Sequence, residues 1–226
     1  MNVKTLKAAL CFLLCAQTAL CQDFMTNEII AAKTRKALDN DQKTISDILS
    51  DTSFMYMHSS TAFREIIKEH AKAEKIKIVS DKEPGTKITV KGVILNLNGK
   101  PVANALVYIY QTSSEGWYSD TAPHVLQNEG DRKHARLFGY FKTNSQGSFE
   151  FETIKPKGYP NSDLPAHIHF EVNYENKSLI TELLFDDDPR LIGDRRTKAL
   201  QQQFILSANT GTEQKPVYVY NISMRQ

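Results

Sequence analysis

Two histidines separated by a single residue are the feature of this sequence best suited to chemistry. His167 and His169 lie in the segment LPAHIHF, residues 164–170, which is rich in β-forming residues. Side chains two positions apart on a β-strand leave the same face of the sheet. Neutral imidazole binds iron, copper, zinc and nickel, so the pair predicts a metal site. Two ligands are too few to hold an ion, and the rest of the chain must supply the others.

The remaining candidate ligands are oxygen donors. Tyr118 ends the run EGWY, residues 115–118, and Tyr159 ends the run TIKPKGY, residues 153–159. Glu171 follows His169 by two residues and would share its strand face. A site of two histidines and Glu171 would suit ferrous iron or zinc, whereas phenolate oxygens would suit a harder ion. The residues alone leave both ligand sets open.

Four motifs occur together in a fixed order. The chain contains GWY at residues 116–118, TIKPKGY at 153–159, PAHIHF at 165–170 and FDDDP at 185–189. With these motifs, residues 83–191 resemble the intradiol ring-cleavage dioxygenases, the family of catechol and protocatechuate dioxygenases. The resemblance implies a non-haem Fe(III) cofactor held by two tyrosines and two histidines.

The same resemblance allocates the ligands. Tyr118 and His169 are similar to the family's equatorial ligands, and Tyr159 and His167 to its axial pair. Strongly Lewis-acidic ions stabilise the deprotonated form of their ligands, so two phenolates would offset most of the charge of Fe(III). The implied substrates are a small aromatic diol and O2, and the implied product is a muconate-type diacid. Tyr159 would be a catalytic residue as well as a ligand, because it would accept a substrate proton.

Two positions depart from the family's pattern near the expected substrate pocket. Leu164 stands where an arginine is usual, and Glu182 replaces a glutamine. These changes remove a positive charge and add a negative one, which disfavours an anionic substrate unless another cation compensates. Arg136 is the candidate cation and is assigned a catalytic role. Trp117 is a candidate wall of the pocket, and Trp117, Leu164 and Glu182 are therefore the predicted substrate-binding residues.

Alternating apolar residues predict a mainly β fold. Strands are predicted at residues 87–95, 105–110, 138–142, 148–154, 167–173 and 179–185, with turn sequences between them. Many short strands and few helices indicate an antiparallel β-sandwich core. The lysine-rich residues 26–75 instead show helical spacing and predict two or three short helices. We predict a signal peptide at 1–21, a helical N-terminal segment at 22–82 and a dioxygenase-like β-sandwich domain at 83–226.

The first residues predict export. Lys4 and Lys7 precede an apolar run of about 13 residues, which is shorter than the ~20 that a membrane-spanning helix needs. All three cysteines lie within 1–21, so a mature chain would have no disulfide and no thiolate ligand. We favour a periplasmic or secreted protein over one with a lipid anchor on Cys21 or Cys15. Removal of the two lysines lowers the formal charge from +2 to zero, which argues against a nucleic-acid partner.

Two other functions compete with ring cleavage. The segment GKPVANA at residues 99–105 is also typical of transthyretin-like binding modules without catalysis, and Leu164 would then mark a lapsed active site. A zinc or ferrous enzyme built on His167, His169 and Glu171 is the third hypothesis, but it leaves both tyrosine motifs unexplained. The N-terminal helices could cover the pocket or form a contact in a homo-oligomer, and their composition favours neither.

Overall fold

The computed structural model describes residues 28–119, 134–160, 162–202, 204 and 206–224. The predicted signal peptide at 1–21 and its cysteines lie outside these residues, as does most of the long loop between the second and third predicted strands. Within the described residues, no helix is both long enough and apolar enough to cross a lipid bilayer.

Three short α-helices and one 3₁₀-helix form the N-terminal segment. Helix α1 covers residues 28–39, α2 covers Ile45–Leu49, the 3₁₀-helix covers Thr52–Met57 and α3 covers Thr61–Glu69. Helix α2 begins at a capping box in which Thr44 and Asp47 exchange side-chain to backbone hydrogen bonds. Helix α3 is capped by Ser60, whose hydroxyl accepts from the amide of Phe63. The predicted helical character of this segment is confirmed.

Two mixed sheets follow the helices, and the predicted β-sandwich is confirmed. The strands are β1 (Ile76–Lys77), β2 (Lys87–Leu95), β3 (Leu106–Gln111), β4 (Leu137–Lys142), β5 (Ser148–Ile154), β6 (His167–Tyr174), β7 (Lys177–Phe185), β8 (Leu206–Ser207), β9 (Val217–Val219) and β10 (Ile222–Ser223). One sheet has the order β1-β5-β2-β10, with β9 also paired to β2, and the other has the order β4-β3-β6-β7-β8. The long strands pair antiparallel, as predicted, whereas the short strands β1, β8, β9 and β10 pair parallel.

Aromatic side chains fill the space between the two sheets. Phe149 and Phe151 of β5 each lie within 6 Å of Phe141 and Phe170 of the opposite sheet, measured between ring centroids. Phe151 and Phe170 have no exposed surface. Buried residues of the helices belong to the same apolar core, so the N-terminal segment packs on the sandwich. The boundary between residues 82 and 83 stays a prediction.

Strand β6 lies at the centre of the second sheet and sets the position of the histidines. It pairs with β3 on one side and β7 on the other. In this register His169 is opposite Tyr110 of β3 and Glu182 of β7. The intervening residues Ile168 and Phe170 are fully buried in the core, so His167 and His169 project from the other face of the sheet.

The C-terminal elements were not predicted. Helix α4 (Gly193–Gln201) has only Ala199 buried, and no side chain caps its N-terminus. Strands β8 to β10 contain two or three residues each. Neither a polar helix without a cap nor so short a strand has enough periodicity to be recognised in a sequence.

Candidate metal centre

The two histidines of β6 converge on one point. Their Nε2 atoms lie 3.0 Å apart, and the ring planes are at 89° to each other. His167 is 7% exposed, and His169 is half-buried. Both imidazoles therefore present the same nitrogen to a shared, largely enclosed space.

Two tyrosines from different loops reach the same space. Tyr118 lies in the loop after β3, and Tyr159 lies in the loop between β5 and β6. The two phenol oxygens are 2.6 Å apart. The oxygen of Tyr118 lies 2.9 Å from Nε2 of His169, and that of Tyr159 lies 3.0 Å from Nε2 of His167. The structure thus brings together all four side chains that the resemblance names as ligands.

Backbone hydrogen bonds fix the Tyr118 loop. The amide of Arg136 donates to the carbonyl of Tyr118 over 2.7 Å, and the amide of Ser113 donates to the carbonyl of Trp117 over 2.8 Å. Tyr118 is 2% exposed, whereas Tyr159 is half-buried. Of the two phenols, Tyr159 is therefore the more accessible.

The four donor atoms have the spacing of ligands around one ion. They form a closed ring with sides of 2.6, 2.9, 3.0 and 3.0 Å. Ligands about 2 Å from a metal ion and at right angles to one another lie about 2.8 Å apart. Two phenol oxygens and two imidazole nitrogens form a donor set that suits a hard cation such as Fe(III). The residues therefore fit the implied metal.

Hydrogen bonds at the far nitrogen of each ring define its tautomer. Nδ1 of His167 lies 2.8 Å from the carbonyl oxygen of Pro165, and Nδ1 of His169 lies 3.2 Å from a carboxylate oxygen of Glu182. A carbonyl or carboxylate oxygen only accepts, so each Nδ1 carries the proton and donates it. Each Nε2 then keeps its lone pair for a metal, as is usual for metal-binding histidines.

Burial favours the neutral form of His167. Burial lowers the pKa of His167 below its ordinary value, and the neighbouring His169 lowers it further. Burial would raise the pKa of Glu182, but its hydrogen bond from His169 and the electrostatic effect of the two nearby imidazoles outweigh burial, and the pKa lies below its ordinary value. Near neutral pH, Glu182 is therefore ionised and His167 is neutral.

Glu182 is a direct neighbour of His169. Its carboxylate accepts from Nδ1 of His169 on the adjacent strand, and its predicted role as a substrate-binding residue stays a prediction. His167, His169 and Glu182 form the one group of three histidine, cysteine or carboxylate residues in the described chain that could hold an ion. Within this group, Nδ1 is the nitrogen of His169 that contacts the Glu182 carboxylate. The ring of four donor atoms instead leaves Glu182 to orient that imidazole.

Glu171 does not join the histidines. It lies opposite Tyr108 and Ile180 in the sheet register, and its carboxylate accepts from the side-chain amide of Asn173 over 3.3 Å. The carboxylate nearest the histidines belongs to Glu182. The hypothesis of a zinc or ferrous site built on Glu171 is therefore wrong in its third ligand.

Arg136 forms a largely buried ion pair with Glu83. Nη1 and Nη2 of its guanidinium each donate to a carboxylate oxygen of Glu83 over 2.7 Å. The side chain of Glu83 is 3% exposed and that of Arg136 is 12% exposed. This bidentate pair compensates the charge of the guanidinium. The assignment of Arg136 as the cation for an anionic substrate stays a prediction, and the ion pair counts against it.

The other two predicted pocket residues differ in burial. Leu164 is 51% exposed, and its amide donates to the hydroxyl of Ser162 over 3.1 Å. Trp117 is half-buried and adjoins Tyr118 in the chain. Their roles as substrate-binding residues remain predictions.

Sequence reasoning missed Tyr110. Its ring stacks on the imidazole of His169 at a centroid distance of 4.4 Å and an interplanar angle of 12°. Tyr108 stacks on Tyr110 at 5.3 Å, and Tyr140 stacks on Tyr108 at 4.5 Å. Tyr108 and Tyr110 are two positions apart on β3 and so share one face of the strand. The register between β3 and β6, which makes Tyr110 the neighbour of His169, is a tertiary property that this alternation does not carry.

Comparison with known proteins establishes the family. The family model described as "Dioxygenase" matches residues 59–226, which is more than half of the chain. The chain belongs to the intradiol ring-cleavage dioxygenase family.

Curated members of the family match only in part. Catechol 1,2-dioxygenase 1 of Acinetobacter lwoffii is 30% identical over 153 residues, which are 60% of this chain and 47% of the relative. The protocatechuate 3,4-dioxygenase beta chain of Burkholderia cepacia is 34% identical over 126 residues, which are 51% of this chain and 52% of the relative. The chain thus spans about half the length of these intradiol dioxygenases.

A solved structure supports the fold. The dioxygenase domain of a dioxygenase carbohydrate-binding protein fusion from Streptomyces sp. SirexAA-E superposes with a TM-score of 0.53 at 23% identity, covering 68% of this chain and 88% of that one. At this identity the likeness shows a shared intradiol dioxygenase fold.

Proposed function

We propose that this protein is an Fe(III)-dependent intradiol dioxygenase that cleaves a small aromatic diol to a muconate-type diacid. The observation that carries the proposal is the closed ring of donor atoms from Tyr118, Tyr159, His167 and His169, with sides of 2.6–3.0 Å. Family membership supplies the reaction class, and the donor set matches the hard ferric ion. When bound, the ion would bind the diol and make its ring reactive towards O2.

The residues of the site have separate roles in binding the ion and in moving a proton. Tyr118 is buried and its carbonyl is held by the amide of Arg136, so it serves as a fixed ligand. Tyr159 is the more accessible of the two tyrosines, and as the phenolate it would accept a proton from the diol at its oxygen, which leaves it a neutral phenol. His167 and His169 offer Nε2 as the metal-binding nitrogen because each Nδ1 proton is committed to an acceptor. Glu182 and Pro165 thereby orient the imidazoles.

The charges around the site favour an uncharged diol over a carboxylated one. Leu164 supplies no cation, Arg136 is compensated by Glu83, and Glu182 is ionised beside His169. A carboxylated diol would add a further negative charge to this arrangement. We infer that simple catechols are better substrates than protocatechuate.

Oxygen uptake with a panel of diols tests the proposal. We expect consumption with catechol, little with protocatechuate, and a product that carries both atoms of labelled O2. His167→Ala should abolish uptake, and Tyr159→Phe should reduce it strongly. Tyr140→Phe is the matched control, since this tyrosine lies on the same sheet but contacts none of the four side chains in the described structure. No uptake with any diol by the iron-loaded protein would favour the non-catalytic binding module.

We also propose that the enzyme acts outside the cytoplasm, on the strength of the export signal predicted at residues 1–21. Fractionation of the producing cells and N-terminal sequencing of the mature protein test this. We expect a mature protein that begins near Gln22. A cytoplasmic protein that retains its first residues would contradict the proposal.

A further inference from the structure

The turn after β7 contacts two parts of the β5–β6 loop, one at Tyr159 and one just before His167. Asp188 is 8% exposed. One of its carboxylate oxygens accepts from the amide of Ala166 over 2.9 Å, and the other accepts from the amide of Arg190 over 2.8 Å. A single buried carboxylate therefore ties the residue before His167 to the turn.

Arg190 extends this connection to the Tyr159 loop. One guanidinium nitrogen, Nη1, donates to the carbonyl of Tyr159 over 3.0 Å and to the carbonyl of Leu164 over 3.2 Å. Arg195 of α4 in turn donates to the carbonyl of Arg190 over 3.2 Å. We call Asp188 and Arg190 the clamp, because together they hold the backbone on both sides of the segment between Tyr159 and His167.

Gly158 allows the clamp to close. A Cβ atom at this position would lie 2.4 Å from the carbonyl oxygen of Leu164 and 2.5 Å from Nη1 of Arg190. Both distances are far below van der Waals contact. The absence of a side chain at Gly158 is therefore required for the guanidinium to reach the two carbonyls.

The clamp acts on the backbone that positions Tyr159 and His167. The carbonyl of Pro165, which accepts from Nδ1 of His167, lies between Leu164 and Ala166, whose backbones the clamp binds. The carbonyl of Tyr159 is bound directly. Hydrogen-bonding partners that orient metal ligands are typically worth about 10-fold to 100-fold in metal affinity.

We propose that Asp188 and Arg190 are positioning residues for Tyr159 and His167. They fix the backbone of the β5–β6 loop, so that the Tyr159 side chain has the same position before and after it exchanges a proton with the substrate. The inference rests on the proposed function, because it assigns the clamp to an iron site. It also gives a role to the guanidinium of Arg190 beside Leu164, which binds backbone carbonyls of the site and not the substrate.

Iron affinity of Arg190 variants tests the clamp. We expect Arg190→Met to raise the dissociation constant for iron about tenfold or more in a chelator competition, and Arg190→Lys to recover part of the loss. The matched control is Arg196→Met, because Arg196 donates to Asp186 on the same turn and to neither ligand loop. The midpoints of unfolding of the iron-free variants should agree. Unchanged iron affinity in Arg190→Met would overturn the proposal.

Hydrogen exchange separates this proposal from the proposed function. In the iron-free protein, the amide proton of Ala166 should exchange about tenfold faster or more in Asp188→Ala than in the wild type, since its acceptor is lost. If the wild type binds no iron but exchange accelerates, the proposed function fails and the clamp stands as an anchor of the loop. If exchange does not change, the clamp itself is wrong.

Discussion

The carboxylate of Glu182 lies 3.2 Å from Nδ1 of His169, directly across from it on the neighbouring strand. The sequence assigned the charge of Glu182 to the substrate pocket. In the structure its carboxylate accepts a hydrogen bond from a metal-binding imidazole. This contact fixes which nitrogen faces the site, and it places a carboxylate behind the ring, as is usual for metal-binding histidines.

Replacement of Glu182 should weaken iron binding. In Glu182→Leu the Nδ1 proton of His169 loses its acceptor, and we expect a loss of about 10-fold to 100-fold in iron affinity. Glu182→Gln keeps an acceptor oxygen without the charge and should lose less. Competition with a chelator measures the difference. Glu171→Gln, two positions beyond His169 on the same strand, is the control and should bind iron like the wild type.

Removal of the ring stacked on His169 should loosen the site. Tyr110→Leu deletes an aromatic contact at 4.4 Å, which is worth about 1 kcal/mol beyond the buried area. Tyr110→Phe retains the stacked ring and should keep the part of the stability and iron affinity that the stacking contributes. Chemical denaturation of both variants measures this. Equal stability of the Leu and Phe variants would show that the stacking contributes nothing.

Arg136 should matter for stability more than for substrate choice. Removal of one partner from a buried ion pair leaves the other charge uncompensated, so Arg136→Met should cost about 3 kcal/mol or more in the free energy of unfolding. The double variant Arg136→Met with Glu83→Met should recover much of that loss.

Substrate kinetics decide between the two roles of Arg136. If its guanidinium served the substrate, the double variant would raise KM for protocatechuate more than for catechol. We expect the ratio of the two KM values to stay the same.

His58 should make the folded protein sensitive to acid. It is 2% exposed, its ring stacks on Phe63, and its Nδ1 lies 2.6 Å from the carbonyl of Arg136. Burial lowers its pKa from 6.5 to about 4. Because the unfolded chain binds this proton more tightly, the contribution to stability is complete above pH 6.5. It is lost as the pH falls towards about 4, by about 3 kcal/mol in total.

Denaturation at several pH values measures how the free energy of unfolding changes between pH 6.5 and pH 4. His58→Phe keeps an aromatic ring beside Phe63 and has no group to protonate. We expect this variant to be less stable than the wild type at pH 7, because the carbonyl of Arg136 loses its donor. Its stability should then fall less steeply between pH 6.5 and pH 4. Parallel slopes for the two proteins would contradict a buried neutral His58.

The parts of the molecule that could be predicted are those with a local signal. Alternation identified the long strands, and the ordered motifs brought Tyr118 and Tyr159 to the histidines. The partners that orient the ligands could not be predicted in this way. Glu182 and Tyr110 are neighbours of His169 through strand register, and Arg190 reaches Tyr159 through a turn 31 residues further along the chain. Such contacts depend on how β3, β6 and β7 align, which no short segment encodes.

The central claim is that Tyr118, Tyr159, His167 and His169 together hold a single ferric ion. Metal analysis combined with visible absorption spectroscopy of the purified, iron-loaded protein tests it most directly. We predict one iron per chain and a tyrosinate-to-iron charge-transfer band that shifts or weakens in Tyr159→Phe and in Tyr118→Phe, with no change in Tyr140→Phe. A protein that binds zinc in preference to iron, or binds iron without a band that depends on these two tyrosines, would contradict the claim.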